Sequence, residues 1–233
     1  MDQSVIDAIA KWPNVPACTG WLLLDRRGQW RMRDDACQAA GELGDLIRHV
    51  ALKAFIERNY GEDEAGRWFF QNGPQRVFVD LAYTPLVLRL HAASTTATSV
   101  ATAASPAVSI TPPLLTDQCG RPFDAQAAWI DDAGNVLFSD ALPDTTSASS
   151  VPGKAGGNIA LLHDHDLALF SEYATLNDEQ AAALSEEQYG APAGASWQQF
   201  GTINWSAEKM LPLLRIRATD VASHFAYAPR PAL

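Results

Sequence analysis

The chain has 233 residues, 47% of them hydrophobic, which is enough for one large folded unit or two small ones. Its 17 basic and 27 acidic residues give a formal net charge of −10. That balance argues against nucleic acid and anionic membrane, both of which attract basic surface, and leaves a protein or a small molecule as the partner to look for.

No stretch approaches the roughly 18 apolar residues of a membrane helix, and Met1 to Lys11 lacks the pattern of a signal peptide. Three widely spaced cysteines, Cys18, Cys37 and Cys119, fit a reducing cytoplasm better than a disulfide framework. The sequence designates no cofactor and no oligomeric state.

In chain order, Ser4 to Lys11 reads as a short amphipathic helix with Ser4 as its cap. Trp12-Pro13-Asn14-Val15-Pro16 must leave that helix, because residues before proline avoid the α region. Gly20 to Arg33 is a hairpin. Its Asp25-Arg26-Arg27-Gly28 has the pattern of a type I turn closed by a glycine bulge. Asp45 to Tyr60 reads as a helix, capped by Asp45 and ended by Gly61. Arg67 to Leu90 is the densest apolar segment and reads as two or three strands. Asn72-Gly73 signals a hairpin, but Pro74 has no N–H to close a two-residue loop centred there, so a longer loop through Gln75 is expected. A third strand runs through Leu86, Leu88 and Leu90.

Residues 92–111 are small and polar and read as a flexible linker. Ala127 to Ser139 repeats the logic of the first hairpin, with Asp131-Asp132-Ala133-Gly134 matching Asp25 to Gly28. A degenerate duplication and two unrelated hairpins both account for this. Pro143 to Gly157 reads as a loop, Asn158 to Phe170 as a strand or hairpin, and Asn177 to Tyr189 as a helix with a capping box. Trp197 to Trp205 is extended, Ser206 to Leu211 is one helical turn halted at Pro212, and Leu213 to Ala218 is a strand. The expected architecture is α+β, with two related antiparallel hairpin-rich halves and covering helices. Residues 1–91 form the first half, 112–227 the second, and 228–233 a frayed tail.

Two constellations could carry chemistry. His163-Asp164-His165-Asp166 places two imidazoles on one strand face, where with His224, Asp140 or Glu172 they could hold a zinc-class ion and support a metal-dependent enzyme. H-x-H alone is a weak signal without a third ligand at a recognisable spacing, and the palindromic pattern suits a polar hairpin turn between two apolar runs. Seven tryptophans are many for this length. Trp12, Trp21, Trp30 and Trp68 are the candidates for an aromatic binding groove, with Trp12 and Trp30 foremost, since tryptophan is enriched at binding hot spots. The bland alternative is core filling. No phosphate-binding loop and no hydrolase elbow is present.

The segments Lys11-Trp12-Pro13-Asn14-Val15-Pro16, Gly20-Trp21-Leu22, Gly28-Gln29-Trp30, Arg33-Asp34-Asp35 and Arg58-Asn59-Tyr60 together resemble a small proteobacterial family of unknown function. So do the run from Gly66 to Val77, and Ala128-Trp129-Ile130-Asp131 in the second half. The resemblance implies a bacterial cytoplasmic protein and brings no activity or site residues with it. The leading expectation is a non-enzymatic binding or scaffolding protein.

Overall fold

The computed structural model describes residues 1–97, 108–111, 113–143, 157–176, 197 and 199–232. Four of its hairpins are closed by one kind of five-residue turn, which begins at Asp25, Asp63, Asp117 and Asp131. In each, the Asp carbonyl accepts the glycine N–H three residues on, and the Asp N–H donates to the carbonyl of the fifth residue. One carboxylate oxygen accepts two further backbone N–H groups of the turn. The glycines Gly28, Gly66, Gly120 and Gly134 all have positive φ, as the bulge requires.

The first sheet contains β1 (Cys18–Leu24), β2 (Trp30–Met32), β3 (Asp45–Leu46), β4 (Tyr60–Glu62), β5 (Trp68–Asn72) and β6 (Gln75–Leu81). Their spatial order is β3-β2-β1-β6-β5-β4. β1 and β6 run parallel and every other neighbouring pair is antiparallel. Helices α1 (Gln3–Lys11) and α2 (Asp35–Ala40) flank β1 and β2 in the chain, and α3 (Val50–Arg58) links β3 to β4.

The larger sheet repeats this plan. β12 (Ala127–Asp131), β13 (Val136–Ser139), β14 (Ile159–Leu162), β15 (Ala174–Leu176), β16 (Gln199–Asn204) and β17 (Met210–Ile216) lie in the order β14-β13-β12-β17-β16-β15. β12 and β17 are the parallel pair. Helix α4 (Leu167–Tyr173) falls between β14 and β15, as α3 falls between β3 and β4. The larger sheet then continues past β14 through β7 (Leu86–His91), β10 (Leu114–Thr116) and β11 (Pro122–Phe123). β8 (Ser94–Ala97) and β9 (Val108–Thr111) form a separate two-stranded ladder.

Both sheets feed one core. Leu24, Trp30, Val79, Leu88, Trp129, Phe138, Ile203 and Ile216 are all buried in it. Each such side chain contributes about 1.5–3 kcal/mol by burial.

Several expectations change. Helix α1 starts at Gln3 with Asp2 as its cap residue, not Ser4. The helix expected from Asp45 begins only at Val50, because Asp45 and Leu46 pair with β2 as a strand, and the His49 ring caps it by accepting the Leu52 N–H. Asn72 pairs directly with Gln75, so the loop is the two residues Gly73-Pro74 and not the longer loop through Gln75 that was expected; Gln75 already belongs to β6. Gly73 takes the positive φ, and Pro74 falls where no closing N–H is needed.

β7, grouped with the first half from sequence, pairs in parallel with β14 in the larger sheet. Within the expected linker, the described residues include the β8–β9 ladder. The Asn158–Phe170 segment is a strand followed by a helix, so its two apolar runs do not pair. Ser206 to Lys209 is a turn, and β17 runs through Pro212. The tail is tied down, since Ala228 donates to the Gly66 carbonyl, Leu81 donates to the Pro229 carbonyl and Arg67 reaches the Ala232 carbonyl. The helix expected at residues 177–189 and most of the loop at 143–157 lie outside the described residues.

Candidate functional site

Asp34 caps α2 by accepting the Cys37 N–H at 2.8 Å, and Gly41 ends that helix. The chain then returns along β2. At Gly44 it passes so close that a Cβ would collide with the Met32 carbonyl oxygen, and φ is positive. Helix and return loop wall a cleft of about 960 Å³ beside β1, β2 and β3.

Trp21, Met32 and Leu43 line this cleft and are 46%, 52% and 49% exposed. Asp34, Glu42 and Asp45 line it as well, and among the described residues no lysine or arginine does. Burial raises the Cys37 thiol pKa, and Glu42 and Asp34 push it further up, with Arg33 opposing. The cleft adjoins β3, an edge strand of the first sheet.

Of the four tryptophans proposed for a groove, only Trp21 lines the cleft. Trp30 and Trp68 are buried and both pack on the Tyr60 ring, each with centroids 4.9 Å away, Trp30 edge-on and Trp68 tilted. They fill the core because their strands face the other sheet. Trp12 is exposed at the end of α1, with the Lys11 ammonium 4.5 Å above its ring, and lies outside the cleft lining.

The second place is the turn after β14. His163, Asp164 and His165 each offer a ligand atom, and these lie within 4.8 Å of one another. The segment Asp164–Asp166 is a 3-10 turn, so the two histidines are not strand neighbours as expected; their rings meet edge to face at 4.7 Å. The His163 Nδ1 accepts the His165 N–H at 3.1 Å and lies 2.9 Å from an Asp164 carboxylate oxygen. The other Asp164 oxygen pairs with Arg27 of the first turn at 2.7 Å, and that guanidinium holds the carboxyl below the usual range.

Burial pulls His163 down, with Asp164 opposing. Buried Asp166 accepts from Arg89 and from the Leu90 N–H. Burial raises the Asp166 pKa, but those hydrogen bonds outweigh it and leave the carboxyl low. The predicted third ligand, His224, is elsewhere, packed against Trp197 and Trp129. Neither Asp140, which binds Asn158, nor Glu172 joins the cluster.

Sequence reasoning missed Met32, Leu43, Glu42 and Asp45 as one site. Met32 looked like an ordinary strand residue, and Asp45 like a helix cap. The available signal was the sequence after the first hairpin, where an acid-rich, glycine-broken loop holds the lone Leu43.

The model of the family DUF2944, described as "Protein of unknown function (DUF2946)", matches residues 1–232, and the chain belongs to that family. No curated protein matches it. Among solved structures, a DUF1285 family protein from Silicibacter pomeroyi DSS-3 is similar at 12% identity, with a TM-score of 0.46 and with 89% of this chain and 87% of that chain covered. Among the described residues no helix is long and apolar enough to cross a membrane.

Proposed function

We propose that this chain is a binding module whose site is the Trp21–Met32–Leu43 cleft, and that it takes an extended protein segment of alternating apolar and basic residues. The observation that carries the reading is the repeat itself. In the larger sheet, the strand equivalent to β3 is β14, and its outer edge is filled by β7. In the first sheet, the outer edge of β3 has no strand beside it among the described residues, and Asp45 of that strand lines the cleft.

An exposed edge offers unpaired backbone groups to an incoming strand. Trp21, Met32 and Leu43 offer it apolar contact, and Asp34, Glu42 and Asp45 select positive charge. β7, which fills the equivalent edge, is itself apolar with one arginine, Arg89. The same strand order and the same Asp turn in both sheets support an origin by duplication. The three free thiols support a reducing compartment such as the cytoplasm.

The test uses two synthetic nine-residue peptides, one alternating valine with lysine and one alternating valine with glutamate, titrated by fluorescence anisotropy. The lysine peptide is expected to bind and to weaken with salt. Trp21→Ala and the pair Glu42→Lys/Asp45→Lys should each weaken it at least tenfold, while Trp12→Ala leaves it unchanged. Equal binding of both peptides, or variants that bind like the parent, would overturn the proposal.

A further inference from the structure

The geometry points to a second, separate site: His163, Asp164 and His165 hold a divalent cation of the zinc, nickel or copper(II) class. Two imidazoles and one carboxylate form an N₂O donor set that suits these borderline metals better than calcium or magnesium, which prefer oxygen alone.

The repeat supplies an internal control. His49 and His163 both follow the third strand of their repeat, His49 three residues after β3 and His163 directly after β14, and each ring accepts a backbone N–H at the start of the following helical turn. In the first half the next two residues are Val50 and Ala51, and the cap forms all the same. The cap therefore requires neither an acid nor a second histidine. His165 is exposed, and its ring makes no hydrogen bond among the described residues; its packing is against His163.

A second observation concerns the 2.9 Å approach of the His163 Nδ1 to the Asp164 oxygen. While Nδ1 accepts the His165 N–H, it carries a lone pair and no proton. Two acceptors then face each other, and a cation that takes the Nδ1 lone pair in place of the His165 N–H relieves the repulsion and leaves that exposed N–H to water.

The surroundings fix the donors. The His163 N–H donates to the Leu88 carbonyl and its carbonyl accepts the Asp166 N–H, both at 2.9 Å. Asp166 is locked by Arg89 and the Leu90 N–H. Arg27 holds the far Asp164 oxygen at 2.7 Å, which orients the carboxylate in the way that outer partners orient metal ligands. Three protein ligands leave the fourth position to water, so the site holds the ion without a closed cage.

The experiment is calorimetric titration of zinc chloride into untagged protein near neutral pH, with melting curves read alongside. One equivalent should bind, and saturation should raise the melting temperature. His165→Ala and Asp164→Asn should each weaken binding at least tenfold while leaving the metal-free melting temperature within a few degrees of the parent. His49→Ala, which removes the equivalent cap, should keep the full stoichiometry. No zinc binding by the parent, or binding that survives His165→Ala unchanged, would overturn the assignment. Because the cleft residues are untouched in these variants, this outcome is independent of the peptide-binding test.

Discussion

Replacing Asp131 by alanine tests the logic of the four turns most sharply. This carboxylate is 1% exposed. One oxygen accepts the Ala133 and Asn135 N–H groups at 2.9 and 2.8 Å, and the other accepts the Asn135 side-chain amide at 2.7 Å and the Tyr83 hydroxyl at 2.5 Å. Tyr83 is in turn capped by the Arg26 guanidinium, 4.6 Å from its ring centroid, and Arg26 donates to Asn135. The carboxylate thus joins the turn of the second half to the first. Hydrogen bonds to a charged group contribute about 1.5–3 kcal/mol each. They do not sum here, because Ala133 is exposed and its N–H can turn to water. We expect Asp131→Ala to cost about 3–4 kcal/mol. Asp63 makes the same turn at a half-buried position and, among the described residues, bonds only within its own hairpin. Asp63→Ala should therefore cost about 1–2 kcal/mol. Urea unfolding followed by tryptophan fluorescence measures both, as midpoint shifts at constant slope. Equal costs would refute the claim that the link to Tyr83, and not the turn alone, sets the difference. Tyr83→Phe in a double-mutant cycle with Asp131→Ala should show coupling of about 1 kcal/mol or more.

Alanine at Gly120 and Gly134, where nothing lies within 4 Å of a Cβ, should cost about 1–2 kcal/mol for the left-handed backbone alone. Gly66→Ala should cost more, since its Cβ would strike the Ala226 carbonyl and dislodge the tail; equal melting temperatures for the three variants would contradict this. Asp63 and Asp166 are held below the usual carboxyl range, each by hydrogen bonds that outweigh burial. A folded pKa below the unfolded one stabilises the protein above the unfolded value, near pH 4, and that stability is lost as pH falls through the folded value. The urea midpoint should hold level above about pH 5 and drop below about pH 4, with a shallower drop in Asp166→Asn; an unchanged acid limb in that variant would count against the assignment. Burial pushes the Cys119 thiol up to about 12 and raises Cys18 and Cys37 as well. Iodoacetamide near pH 7.5, followed by mass spectrometry, should label all three more slowly than free cysteine, with Cys119 last; early labelling of Cys119 would reverse that order.

The hairpins at Asp25 and Asp131 were legible because their signal is local: an aspartate, a glycine three residues on, and alternating apolar flanks. The same signal stands at Asp63 and Asp117, yet Asp63 reads in sequence as part of an acidic patch, between Glu62 and Glu64. What sequence could not supply was pairing across distance. Asp45 and Leu46 fit a helix start by propensity, but the open edge of β2 claims them as a strand. Leu86 to Leu90 look continuous with the strands before them, and only the three-dimensional arrangement places β7 beside β14, more than 65 residues away. Burial had the same character. Trp30 and Trp21 sit nine residues apart on one hairpin with similar neighbours, and the sheet's orientation buries one and exposes the other.

The two halves diverge most at the third strand, and that divergence accounts for the cleft. β14 has four residues, all buried, and holds β7 along its edge. β3 has two residues, one of them exposed Asp45, with Glu42 close by in the cleft lining. A long apolar edge in that position would invite pairing with any strand, including another copy of this chain. A short edge flanked by carboxylates repels a protein whose own net charge is −10 and still admits a basic segment. In the proposed reading, the acids that would oppose pairing with a second copy of this chain are the same groups that would choose a basic partner, and Trp21, Met32 and Leu43 would give that partner apolar contact.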